Sequence, residues 1–198
     1  MGDIIYPAPS IERETMRGTE TVSLITNAFS ERKIFLLGTV DEIMLNSFTL
    51  QLIYLSKDET QPIDIIINSP GGIVPYGLAI YDQIQGCQCQ INMYCIGMAA
   101  SMAAIIFAGG QKNRRFILPH SEVMIHEPLL SSVGGSASSI KTTAESIIQT
   151  RDILNGILAK HTGKTVKEID QATNHDNKMS AQEAIDFGLC DKIVERVS

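Results

Sequence analysis

The chain is poor in charge, in glycine and proline, in cysteine and in long apolar runs, and each shortage excludes a class of protein. Charged residues make up 19% of the 198 residues and aromatic ones 6%, against 44% hydrophobic residues. A disordered chain needs the opposite balance of charge and hydrophobicity. Gly 15 and Pro 7 are too few for a collagen repeat or a low-complexity linker. Cations are outnumbered, leaving a net charge of −6, whereas a nucleic-acid binder usually carries a basic footprint. Four Cys do not make a disulfide scaffold at this length. Three of them, Cys87, Cys89 and Cys95, fall in the stretch CQCQINMYC. The Cys-x-Cys pair could begin a metal site, but no second pair or nearby His completes it. Small apolar residues on one strand face are the better reading. Thiols without a disulfide framework point to a reduced, cytoplasmic protein.

Nor does the sequence suggest export or a membrane. Residues 1–30 include Asp3, Glu12, Arg13, Glu14 and Arg17 and lack the apolar core of a secretory signal. The most apolar run, CIGMAASMAAIIFAGG over 95–110, is shorter than the ~20 residues a spanning helix needs. It suits a buried strand that passes into a helix.

What remains is a chain with room for one domain. Residues 1–30, mixed and polar, are expected to form a mobile N-terminal arm. Residues 33–38 (KIFLLG), 63–68 (IDIIIN) and 90–96 have the β-branched runs of buried strands. Residues 115–118 and 122–126 suggest two more strands, and 192–194 a last one. Asp41 can N-cap a helix through Leu55, along which Met44, Leu45, Phe48, Leu52 and Leu55 recur at helical spacing. Ser69-Pro70-Gly71-Gly72 stops the second strand, and a helix follows over 74–85. Another starts near Ser101. Thr165 with Glu168, and Ser180 with Glu183, make capping boxes that open short helices. Strands and helices alternate without a linker, so the fold class is α/β.

One helix is long. An apolar stripe from Ile140 through Ile147, Ile148, Ile153, Leu154, Ile157 and Leu158 runs over 138–161, ended by Gly163. Some 24 residues make a helix of about 36 Å, longer than the roughly 26–35 Å expected across a domain of this size. The helix is expected to project and to need a partner for its stripe. The other reading is a slightly kinked helix lying wholly on its own domain.

Two places invite chemistry. The paired glycines of 68–72 let backbone N–H groups face a ligand, although such turns are more often only structural. Ser101 is the only hydroxyl in the apolar run 96–109. It sits where strand gives way to helix, among small residues that leave its Oγ uncovered. A helix start offers free N–H groups that could stabilise an oxyanion. A helix Ser bonded to its own backbone is the plainer alternative. A serine nucleophile needs a base, and the base an orienting acceptor. Of His120, His126, His161 and His175, His126 ends an apolar strand and is best placed on a rigid edge. His161 lies at a helix C-terminus, where a cation is favoured. Asp176 lies in a loop over 173–178. Composition and spacing alone do not decide whether Ser101, His126 and Asp176 meet.

At these residues the sequence resembles the proteolytic subunit of the Clp protease, the ClpP family, nearly end to end. The resemblance rests on ERKIFL at 31–36, INSPGG at 67–72, GMAASM at 97–102, RFILP at 115–119, MIHEP at 124–128, HTG at 161–163 and Asp176 followed by MSAQEA at 179–184. It implies a crotonase-like fold of repeated β-β-α turns with the long helix as a projecting handle. The arm over 1–30 would line an axial pore, and 31–198 would be the peptidase domain. It implies a serine endopeptidase with Ser101 as nucleophile, His126 as general base and Asp176 as orienting carboxylate. Gly72 and Met102 would supply the oxyanion hole, and Gly71-Gly72 would pair with an extended substrate. No cofactor is expected in the chain, because ATP is used by a partner. The implied partners are copies of itself in two stacked seven-membered rings, a hexameric AAA+ unfoldase and unfolded polypeptide, in the cytoplasm.

Several positions depart from the family pattern. Asn174 and His175 stand where an acidic residue and an Arg usually precede the Asp and dock the rings. Glu127 replaces a Gln, Leu130-Ser131 replace a Gly pair, and Asp64 and Ile66 replace two Tyr of the unfoldase docking pocket. These changes predict a specialised subunit, weakly active or structural by itself and completed by a second ClpP-type subunit. Two other classes compete: a crotonase-type acyl-CoA enzyme, which uses carboxylates and CoA without a serine nucleophile, and a membrane signal-peptide peptidase. The latter would need a Lys base and an anchor, and neither is evident.

Overall fold

Ser10 to Ser23 supply the first strand pairing among the described residues. The computed structural model describes residues 9–16, 18–130 and 134–197. Strand β1 (Ser10–Thr15) pairs antiparallel with β2 (Gly18–Ser23), Thr15 lying opposite Gly18. Helix α1 (Leu24–Ser30) follows, capped by Ser23 Oγ, which accepts the Thr26 N–H. The expected arm therefore carries a hairpin and a helix over 9–30, and residues 1–8 lie outside the described residues.

The body begins with β3 (Lys33–Val40), α2 (Glu42–Leu55), β4 (Ile63–Gly72), α3 (Val74–Gly86), β5 (Ile91–Ala100) and α4 (Met102–Ala108). It continues through β6 (Arg115–Ile117), β7 (Glu122–Ile125), α5 (Ala137–Thr162), α6 (Val166–Thr173), β8 (Asn177–Ser180), α7 (Ala181–Phe187) and β9 (Lys192–Ile193). The local signals behave as their chemistry dictates. Asp41 accepts the Met44 N–H at 2.8 Å as N-cap of α2. Both capping boxes form, and Gly163 and Gly188 end their helices in the left-handed conformation.

Strands β3-β4-β5-β6-β9 lie in that order, all parallel. The apolar runs of β4 and β5 are buried on both faces, as central parallel strands require, whereas β3 leaves Phe35 and Leu37 exposed. Ile34, Ile65, Ile67, Ile91 and Met93 meet Phe48 and Leu52 of α2 and Ile106 and Phe107 of α4 in one core. Every residue of α4 is buried, which accounts for the apolar run over 95–110. Among the described residues no helix is long and apolar enough to cross a membrane.

Two strands run further than the sequence suggests. β4 continues through Ser69-Pro70-Gly71-Gly72 rather than stopping there, because β3 still pairs with it at Thr39 and Val40 after a register shift. β5 extends to Ala100 and forks. Met93–Cys95 pairs with β6, while Met98–Ala100 pairs with β7. Gly97, at φ +84°, makes the turn between the two halves, and its N–H donates to Ser121 Oγ at 2.8 Å. Of the three cysteines expected on one strand face, only Cys95 lies in β5. Cys87 caps α3 and Cys89 lies in the connection.

Helix α5 has 26 residues, a length of about 39 Å. Only Leu154, Asn155 and Leu158 in it are buried, while Ile140, Ile148 and Ile153 are exposed. Its last turns seat on the body through Leu154, Ile157 and Leu158, and its first half stands largely in solvent, so the stripe is uncovered at Ile140 and Ile148.

Candidate active site

Strand register assembles the site. Ala100 pairs with Met124, and the Ser101 N–H donates to Met124 O at 2.8 Å. The ends of β5 and β7 therefore place Ser101 beside His126. On the other side of β7, antiparallel β8 sets Asn177 opposite Ile125, which puts Asp176 beside His126. The Glu127 N–H donates to Thr173 O at 2.8 Å and ties the residue after His126 to the end of α6. Three side chains distant in sequence are thus brought into line by two strand pairings. His126 Nε2 lies 2.8 Å from Ser101 Oγ, and His126 Nδ1 lies 3.1 Å from Asp176 Oδ1. The His126 side chain is 15% exposed, that of Asp176 67%.

Ser101 is not bonded to its own backbone, the plainer alternative for it. It is the N-cap of α4 with φ 54° and ψ −123°, and its hydroxyl makes no capping bond. A non-glycine residue in this region stores about 1–3 kcal/mol of strain. The sharp strand-to-helix turn lifts Oγ out of the helix and toward the imidazole.

The glycine turn passes directly beside it. A Cβ on Gly71, at φ +89°, would lie 2.5 Å from Ala100 O and 2.7 Å from Ser101 Cβ. One on Gly72 would lie 2.3 Å from Val40 O. Only glycine allows this approach. Ser69, fully buried, steadies the turn by accepting the Gly71 N–H at 3.1 Å. Met102 is the first residue of α4, so its N–H has no intrahelical acceptor. β4 pairs with β5 only as far as Ser69 and Ala99, which leaves the backbone edge of 70–72 open next to Ser101.

A cleft of about 230 Å³ opens at this point, lined by Ser101, His126, Gly72 and Met102 and closed below by Ile105, Leu154 and Leu158. The two leucines come from the far end of α5, and sequence reasoning did not assign them to the site. Nor did it find β8, whose sequence Asn177-Lys178-Met179-Ser180 has no β-branched residue. Its one alternating signal is buried Met179 between exposed neighbours.

The remaining histidines stay apart from the cleft. His161 bonds the Tyr81 hydroxyl at 2.8 Å. Burial, then the charges of Lys160 and Arg115, push its imidazole down to about 4. It is therefore neutral at pH 7, and the expected cation at the helix end is absent because desolvation outweighs the dipole. His120, His175 and Asn174 are exposed. Asp64 accepts from Asn92 at 2.8 Å, Asn92 accepts from Arg114 at 2.8 Å, and Arg114 donates to Gln90 at 2.7 Å. This polar ladder runs beside the stacked rings of Tyr94 and Phe116. Among the described residues no cluster of His, Cys, Asp and Glu could hold a metal. A family model described as Clp protease matches residues 16–197.

Proposed function

The chain belongs to the Clp protease family, a ClpP-type peptidase of mixed α/β, crotonase-like fold, and on that premise we propose that it hydrolyses peptide bonds of unfolded polypeptides by a Ser-His-Asp mechanism. The observation that carries the proposal is the unbroken line of hydrogen bonds from Ser101 through His126 to Asp176. His126 takes the Ser101 proton as Oγ attacks the peptide carbonyl. Asp176 keeps the imidazole in the tautomer that presents Nε2 to Ser101 and stabilises the imidazolium that forms. The N–H groups of Gly72 and Met102 receive the oxyanion. His126 then returns the proton to the leaving amine, and water attacks the acyl-enzyme by the same route in reverse. An extended substrate adds to the open edge at Gly71-Gly72, where backbone pairing reads no particular sequence. The apolar floor of the cleft accepts one side chain. Side chains and backbone supply all the chemistry, and ATP is spent by a partner AAA+ unfoldase that delivers the unfolded chain into rings of this subunit in the cytoplasm.

The crotonase-type acyl-CoA reading is disfavoured by the hydroxyl that fills the reacting position. A fluorophosphonate distinguishes the two. It labels Ser101 in the wild type and nothing in Ser101→Ala if the serine mechanism operates, and a failure to label Ser101 overturns it. A second reading, a weakly active ring subunit completed by another ClpP-type subunit, is favoured by exposed Asn174 and His175 at the expected ring contact and by the polar ladder from Asp64. Native mass and peptidase rate, measured for the chain alone and mixed with a candidate partner subunit, separate self-sufficiency from dependence.

A further inference from the structure

Cys87 and Cys89 take no part in the site above. Cys87 is the C-cap of α3, with φ −72° and ψ 131°, and Cys89 follows two residues on, at a bend in the connection to β5. Two residues along the chain, their α-carbons are at most about 7 Å apart, close to the separations of up to about 6.8 Å that a disulfide spans. Cys89 is fully buried, whereas Cys87 is half-buried at the rim of a cleft of about 380 Å³ shared with Leu52, Ser56 and Glu59. Cys89 Sγ donates to Asp58 O at 3.6 Å and lies 4.0 Å from Arg32 Nη2. The same guanidinium group donates to the carbonyls of Leu55, Asp58, Gln61 and Pro62. Cys89 thus sits in the anchorage of the loop that leads into β4. Burial first, and the neighbouring Cys87 next, push the Cys89 thiol up.

We propose that Cys87 and Cys89 form a redox-sensitive dithiol that closes to a Cys-x-Cys disulfide when a hydroperoxide is the oxidant. The half-exposed Cys87 thiolate attacks the terminal peroxide oxygen. The O–O bond breaks, the departing oxygen takes up the proton released by the thiol and leaves as an alcohol or water, and Cys87 becomes a sulfenic acid. The Cys89 sulfur then attacks the Cys87 sulfur. The S–S bond forms as the S–O bond breaks, and the hydroxyl leaves as water with the Cys89 proton. Two thiols and one hydroperoxide give one disulfide, one alcohol and one water. The bridge draws Cys89 Sγ away from Asp58 O and from Arg32.

The test treats the purified full-length chain with hydrogen peroxide, blocks free thiols, and measures intact mass and a peptide map without reductant. The expected result is a mass lower by two hydrogens, located between Cys87 and Cys89 and restored by dithiothreitol. Cys89→Ala then accumulates a Cys87 sulfenic acid that dimedone traps, and Cys95→Ala leaves the mass loss unchanged. A bridge between Cys95 and Cys190, a Cys87 link between two copies, oxygen added to Cys87 without loss of hydrogens, or no reaction overturns the proposal.

Discussion

Ser101 holds a conformation that its own chemistry disfavours, and the strain has a use. The positive φ turns Oγ away from α4 and onto His126. Under the proposed mechanism Ser101→Ala lowers kcat by roughly 10⁶-fold, the usual cost of losing a triad nucleophile. Asp176 is different because water already competes for its carboxylate. Asp176→Ala is expected to cost less than the roughly 10⁴-fold of a buried triad carboxylate, with the His126 proton signal in NMR reporting the lost bond. An equal collapse in both variants would contradict that ranking. Gly71→Ala brings a Cβ against Ala100 O and Ser101, and peptidase assays should find activity lost while the far-UV spectrum is kept. His161 gives a pH prediction. Its imidazole is pushed from 6.5 down to about 4 in the fold. Between those values the unfolded chain binds the proton and the folded chain does not, so stability is lost as pH falls through that window. Melting temperatures from pH 7 to 5 should fall less steeply for His161→Gln than for the wild type.

At the scale of elements, single buried polar residues join pieces distant in the chain. Arg115, 4% exposed, opens β6 and binds Asp191 ahead of β9 through two nitrogens, at 3.0 and 2.6 Å. It also donates to Ala108 O at the end of α4 and to Gly188 O at the end of α7. Burial pushes the Asp191 carboxyl up, but the hydrogen bonds and charge of Arg115 outweigh this and hold it below its ordinary value. Arg115→Ala strands that carboxylate and should destabilise by about 3–5 kcal/mol in urea titrations. A loss under 1 kcal/mol, the scale of an exposed pair, would mean the bridge is no anchor. Asn155 couples α5 to α6 in the same manner, donating to Asp170 and accepting from Thr173, each at 3.3 Å. Thr173 in turn holds Glu127, so this joint braces both His126 and Asp176.

For the whole molecule the uncovered apolar surface is the informative feature. Ile43, Leu50 and Tyr54 lie on one face of α2 at 78%, 72% and 61% exposure, with exposed Phe35 and Leu37 of β3 in the same region. Ile140 and Ile148 line the free half of α5. A monomer seldom leaves such a patch in water. The purified chain should have a native mass well above 21.7 kDa, and Leu50→Glu should lower that mass without lowering the melting temperature of the subunit. An unchanged mass would place the subunit contacts elsewhere.

Local physics made much of this legible in advance. The Asp41 cap, both capping boxes, the αL glycines and the length of α5 follow from neighbours within a turn or two, so the sequence contains them whole. The motif resemblance brought Ser101, His126 and Asp176 together as an expectation. Spacing could not do so, because 25 and 50 residues separate partners that meet through register alone. The forking of β5, the continuation of β4 through its glycines and the polar strand β8 depend on which backbone groups find partners across the sheet, and no stretch of sequence carries that by itself. His161 shows the same division. Its place at a helix end was readable and suggested a cation, but the burial that makes it neutral exists only once Tyr81, Lys160 and Arg115 have been folded around it.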